Sequence, residues 1–205
     1  MKDLILQIKN NRNKSITIIM IVYILFYFMA QHFPLREVTI LNPGIIDLKI
    51  PKIPAFIFFY ILSYPLVFIS FALIRKSNEQ FVNFSLSFLL VSLCSIFIFL
   101  IFPNGILRNT SWIPLSSFFH TPFKLLWILD KPTNCFPSLH VSTAFVCCIY
   151  LGKIYENKKW SLLFLACLIT VSTMMIRQHL FIDVLGGTTL AIISLFIPRF
   201  TQKYQ

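Results

Sequence analysis

The chain has 205 residues, 57% of them hydrophobic and 12% charged, with a mean hydropathy of +0.79. Such a composition excludes an ordinary soluble domain and implies a single integral membrane domain over 1–205, all-α in class. The net charge of +11 comes without a long basic run or a basic stripe on a soluble module. No nucleic-acid partner is therefore expected, and membrane topology accounts for the charge.

Hydropathy predicts a bundle of six transmembrane helices, at 15–33, 55–74, 81–102, 138–155, 160–176 and 180–198. The first follows Lys2, Lys9, Arg12 and Lys14, as a secretory signal would. Its end, FYFMAQHF, lacks a small residue three before an Ala cleavage point, so an uncleaved anchor is expected. With the N-terminus cytoplasmic, the inner segments carry Lys2, Lys9, Arg12, Lys14, Arg75, Lys76, Lys153, Lys158, Lys159, Arg199 and Lys203, eleven cations in all. The outer segments carry seven: Arg36, Lys49, Lys52, Arg108, Lys124, Lys131 and Arg177. Cytoplasmic loops favour Lys and Arg, so both termini are predicted inside. The Lys/Ile/Asn-rich composition and the lack of a transit peptide point to a bacterial inner membrane.

Within the loop 103–135, SFFHTPFKLLWIL predicts a short interfacial helix. Trp112, Trp127 and Trp160 fall where membrane surfaces are expected. The five cysteines form no CxxC pair and lie mostly in apolar runs, so they are read as small hydrophobes. His32 and His120 have no acidic partner at catalytic spacing and are left outside the site.

The sixfold crossing places three polar segments on one extracytoplasmic face: FPNGILRNT after span three, NCFPSLH before span four, and STMMIRQHLFID between spans five and six. In the second, Pro137 suits the first turn of a helix, and Thr133 or Asn134 can help cap it. A helix N-terminus holds anions through free amides and partial positive charge, with Ser138 adding a hydroxyl and His140 lying in the same turn. In the third, His179 and Asp183 are four apart, so on a helix they share a face. A carboxylate on one imidazole nitrogen leaves the other as nucleophile or base. Arg177, and Arg108 from the first segment, offer donors to phosphate oxygens. The alternative is that Ser138 and His140 face headgroups, Arg177 snorkels, and His179 and Asp183 only satisfy each other. Gly186 and Gly187 are read as close-packing positions.

NCFPSLHVSTAF and STMMIRQHLFIDVLGG together resemble motifs of the type 2 phosphatidic acid phosphatase superfamily, membrane lipid phosphatases related to vanadium haloperoxidases. The match covers 102–187 and is closest to the inositol-phosphotransferase-like branch. The resemblance implies a phosphohistidine formed at His179, with Asp183 orienting it. His140 would protonate the leaving alcohol and then activate water, while Ser138, Arg108 and Arg177 hold the phosphate. It implies no metal or other cofactor, and a lipid phosphate in the bilayer as substrate, such as a phosphatidic acid or a polyprenyl phosphate or diphosphate. Two positions depart from the pattern: Ile101 stands where the family has Lys, and Thr173 where it has Arg. Transfer of the head group to an acceptor alcohol, a metal-dependent hydrolase using His140, His179 and Asp183, and a non-enzymatic transporter remain as alternatives.

Overall fold

The computed structural model describes residues 2–198, a helical molecule with two short strands. In chain order the elements are α1 (Lys2–Asn10), α2 (Arg12–His32), β1 (Thr39–Leu41), α3 (Ile45–Lys49), α4 (Ile57–Ile61), α5 (Ser63–Ile74), α6 (Asn78–Ile101), β2 (Asn104–Ile106), α7 (His120–Leu129), α8 (Leu139–Ile154), α9 (Lys159–Met175) and α10 (Phe181–Ser194).

Four apolar helical stretches are long enough to cross a bilayer: Arg12–His32, Pro54–Ile74, Glu79–Ile101 and Glu156–Met175. They coincide with the first, second, third and fifth expected spans. The fourth and sixth are apolar helices of 16 and 14 residues. At 1.5 Å per residue these run about 24 and 21 Å, less than the ~30 Å hydrocarbon core. Their N-termini meet each other and build the site described below. Residues 199–203, expected to add the last inner cations, lie outside the described residues.

Helix α8 is the hub and packs against α5, α6, α9 and α10. The core around it is aromatic and tightly interlocked. Phe71 meets Phe84 edge-on at 4.6 Å between ring centroids, and Phe84 meets Tyr150 at 5.8 Å. Tyr150 shares a hydrogen bond of 2.9 Å with Ser87, whose hydroxyl also reaches the Ser194 carbonyl, tying α8, α6 and α10 together. All five cysteines are free; Cys147 and Cys148 fill core space as small hydrophobes. Outward faces stay apolar: Ile18, Ile21, Phe28, Phe68, Phe97 and Phe164 are all exposed, a surface suited to lipid rather than water.

The helix expected in the 103–135 loop is present as α7. Two features were not expected. The amphipathic α1 seats Ile5 and Ile8 in the core against α6. A parallel two-stranded ladder pairs Thr39 with Asn104 and Leu41 with Ile106, pinning the segment between the first two spans to the end of α6.

Candidate active site

The NCFPSLH segment is held by Asn104, which is fully buried. Its side-chain amide donates to the carbonyls of Phe102 and Phe136, at 3.0 and 2.8 Å, and its oxygen accepts from the Phe136 amide at 2.6 Å. Gly105 beside it must be glycine, since a Cβ there would overlap the Pro132 carbonyl. Helix α8 then starts one residue later than expected. Pro137 lies before the helix, and Ser138 is the cap, its hydroxyl accepting from the Val141 amide at 3.4 Å. Thr133 and Asn134 do not cap. The Ser138 amide donates to the Asp183 carbonyl at 3.0 Å, locking the start of α8 onto α10. Gly187 permits that approach, because a Cβ on it would overlap the Ser138 carbonyl; a Cβ on Gly186 would come within 2.7 Å of the Phe136 ring. The close-packing reading of this glycine pair holds.

His179 and Asp183 do not share a helix face, as their spacing suggested. Helix α9 ends at Met175 and Arg177 turns the chain at φ 59°, so His179 sits in the connecting turn, with Asp183 in the first turn of α10. The turn is closed by the Gln178 and His179 amides, both donating to the Thr173 carbonyl. The pairing survives this change of geometry: His179 Nδ1 lies 3.5 Å from Asp183 Oδ2, both groups buried. Asp183 Oδ2 also accepts from the Leu180 amide at 2.8 Å, which fixes the carboxylate. The other imidazole nitrogen, His179 Nε2, faces His140 Nδ1 at 3.5 Å.

The two arginines are brought to the same region, each engaged with the protein. Arg108 donates to the Asp130 carbonyl at 2.6 Å, the Trp127 carbonyl at 3.3 Å and Gln178 Oε1 at 2.8 Å. Burial lowers its pKa, opposed by Asp130, although an arginine keeps its charge throughout. Arg177 donates to the carbonyls of Asp47 and Ile50 at 2.6 and 2.7 Å, clamping α3 against the site. Asp47 in turn accepts from the Phe181 amide at 2.7 Å and thus occupies the N-terminus of α10. Buried polar atoms without a hydrogen-bond partner include Arg108 Nε, Arg177 Nε, His179 Nδ1 and Asp183 Oδ1 here, as well as Gln80, Ser85, Ser92 and Ser95 along α6. Those at the site leave hydrogen-bonding capacity for a polar ligand.

A cavity of about 460 Å3 opens beside His179 and Arg177, walled by Leu41, Leu48, Ile106, Leu107 and Trp112, with Lys52 on its rim. An apolar pocket with a few convergent polar groups fits a ligand with an apolar body and an anionic head.

Several residues at the site were missed from sequence. Asp130 is buried at the end of α7 and accepts from Tyr27 at 3.0 Å, Gln31 at 3.4 Å and Tyr64 at 3.4 Å, as well as from Tyr60. It lies 4.0 Å from His140 Nε2. The available signal was an acid ending the apolar run LLWILD, since a carboxylate beside apolar membrane segments is rarely idle. Cys135 was read as a filler, yet its sulfur and the ligand atoms of His179 and Asp183 lie within 4.8 Å of one another. A metal there would have to deprotonate Cys135, whose thiol pKa burial raises well above normal.

No curated protein and no solved structure gives a significant match to the chain. The model of the PAP2 superfamily, however, matches residues 52–197, which takes in the second to sixth apolar segments, both histidines, both arginines and both site carboxylates. Over that extent, and with four helices able to cross a membrane, the chain belongs to the PAP2 superfamily.

Proposed function

We propose that the protein is a metal-independent phosphatase acting on a lipid phosphate at the extracytoplasmic face of a bacterial inner membrane, through a phosphohistidine at His179. Superfamily membership supports a phosphatase activity, and the apolar helices a membrane location. The observation that carries the mechanism is the pair of facing nitrogens, His179 Nε2 and His140 Nδ1, with Asp183 behind the first.

Asp183 holds a proton on His179 Nδ1, leaving the Nε2 lone pair free to attack phosphorus. As the N–P bond forms and the ester P–O bond breaks, His140 passes its Nδ1 proton to the departing alkoxide. Water then attacks the phosphohistidine, giving its proton to His140 as the P–N bond breaks, and inorganic phosphate leaves. Phosphorus ~3–3.5 Å from His179 Nε2, with the leaving oxygen in line behind it and ~2.6–3.2 Å from His140 Nδ1, needs at least twice the present 3.5 Å separation. The rings therefore part when substrate enters from the cavity. Arg108 and Arg177 exchange carbonyl partners for phosphate oxygens, a trade of neutral acceptors for charged ones, and the Ser138 hydroxyl donates to a third oxygen. The apolar wall beside His179 accommodates the start of a lipid tail, as in a phosphatidic acid or a polyprenyl phosphate. In this reading both termini are cytoplasmic, and α8 and α10 complete six crossings.

Detergent-purified protein is expected to release phosphate from a panel of lipid phosphates in excess EDTA, to be inhibited by vanadate, and to lose activity in His179→Ala. His140→Ala is expected to lose about 10²–10⁴-fold. Activity that survives in His179→Ala sinks the mechanism, and activity lost to EDTA transfers the cluster of Cys135, His179 and Asp183 to a metal. Release that begins only when an acceptor alcohol is added identifies a transferase.

A further inference from the structure

The acid–base histidine has a carboxylate of its own. Asp130 is 6% exposed, and four side chains converge on it. Tyr27 and Gln31 from α2 donate to Oδ1, and Tyr60 from α4 and Tyr64 from α5 donate to Oδ2. Four donors on one carboxyl suit a group that only accepts, at both oxygens. Placing a carboxylate in such surroundings is costly unless something positive answers it. Among the described residues two groups are placed to do so: the Arg108 guanidinium, bonded to the Asp130 carbonyl, and the His140 ring, whose Nε2 lies 4.0 Å from Oδ2.

Tyr60 adds a second constraint on the same ring. Its hydroxyl proton goes to Asp130, so its oxygen, 3.3 Å from His140 Nδ1, accepts from that nitrogen when His140 is doubly protonated, the form that acts as the acid. The Tyr60 and His140 rings lie 4.5 Å apart and Tyr64 meets His140 at right angles at 5.3 Å, so two aromatic rings pack against the imidazole. The arrangement repeats, with the nitrogens exchanged, what Asp183 does for His179. There the carboxylate lies 3.5 Å from Nδ1; here it lies 4.0 Å from Nε2, within ion-pair but beyond hydrogen-bond distance, and the remaining nitrogens, Nε2 of His179 and Nδ1 of His140, are those that face each other.

Building on the phosphohistidine reading above, we infer that Asp130, caged by Tyr27, Tyr60, Tyr64 and Gln31, is a positioning residue that holds the Nε2 proton of His140 and directs Nδ1 at the leaving oxygen. Tyr27 and Gln31 precede the residues matched to the superfamily, so the first span becomes part of the catalytic apparatus and not merely an anchor.

The test uses full-length protein in detergent with two probes, dioctanoyl phosphatidic acid and p-nitrophenyl phosphate. An alkoxide needs a proton to leave, whereas a nitrophenolate does not. Asp130→Asn is expected to lower kcat/KM at least 100-fold on the alkyl substrate and by less than about threefold on the aryl one, matching the selectivity of His140→Ala. Equal losses on both probes, or none on either, overturn the inference. If Asp130→Asn does not fold, Tyr27→Phe and Tyr60→Phe each remove one donor. A selective loss of about tenfold on the alkyl probe supports the inference, and equal losses overturn it.

A readout without turnover separates this inference from the reading beneath it. In histidine-labelled protein, ¹⁵N NMR is expected to show His140, assigned through His140→Gln, protonated on Nε2 in the wild type, with that preference lost in Asp130→Asn. An unchanged tautomer overturns the role of Asp130 even in an active enzyme. Hydrolysis that persists in His179→Ala, or no hydrolysis by the wild type, overturns the phosphohistidine alone and leaves the tautomer to decide on Asp130.

Discussion

Arg177 stands at φ 59°, where an L side chain costs roughly 1–2 kcal/mol, and it is retained there by two hydrogen bonds to the carbonyls of Asp47 and Ile50. Arg177→Ala loses both bonds and keeps the strained backbone. Arg177→Gly loses the same bonds but relieves the strain, offset by about 0.4–1 kcal/mol of extra freedom in the unfolded chain. Thermal unfolding in detergent should therefore find the Gly variant more stable than the Ala variant by about 0.5–1 kcal/mol. Activity should fall in both, because neither carries a guanidinium. A more stable Ala variant would mean that the turn is not held in this conformation. The presence of an arginine near His179 was legible from RQH; its left-handed turn was not, because φ there follows from where α9 stops.

At the scale of elements, the start of α8 shows how one side chain serves two ends. Ser138 caps the helix in the structure and is proposed to donate to phosphate. The two roles separate by substitution. A cap lost to Ala costs about 1 kcal/mol, and one lost to Gly only a few tenths. Stability should thus rank wild type, Ser138→Gly, Ser138→Ala, whereas a phosphate contact predicts similar losses of kcat/KM in both. Activity that merely tracks stability would reduce Ser138 to a cap. The helix start was readable from PSLH to within a residue, since capping is local chemistry. The parallel ladder was not: Thr39 and Asn104 belong to separate loops, and nothing in VTIL or PNGI names its partner. Asn104, read only as part of a polar segment, proves to be the clamp that holds the segment before α8.

At the scale of the whole molecule, the proposed six-crossing topology requires two helices of 16 and 14 residues to complete a crossing. Bilayers thin locally and flanking residues snorkel at modest cost, so short helices inside a bundle are tolerated. With all native cysteines replaced, Leu107→Cys is expected to react with a membrane-impermeant thiol reagent added outside intact cells. Lys158→Cys is expected to react only after permeabilisation. Equal labelling of both from outside would break the six-crossing topology and the extracytoplasmic placement of the site together.

The sequence alone determined the membrane class, the positions of the apolar helices within a few residues, and the superfamily, and it singled out the two histidines and Asp183 that the fold brings together. Each of these depends on run length, capping or spacing within a short stretch. Only the tertiary structure decided that His179 lies in a turn rather than on a helix, that both arginines are engaged by backbone carbonyls, and that Asp130 belongs to the site. The cage around Asp130 joins residues as far apart as Tyr27 and Asp130, 103 positions along the chain, through four different helices. Periodicity cannot encode such a meeting. It exists because α2, α4, α5 and α8 converge at one end of the bundle, where a carboxylate that no single segment could tolerate finds four donors and a histidine.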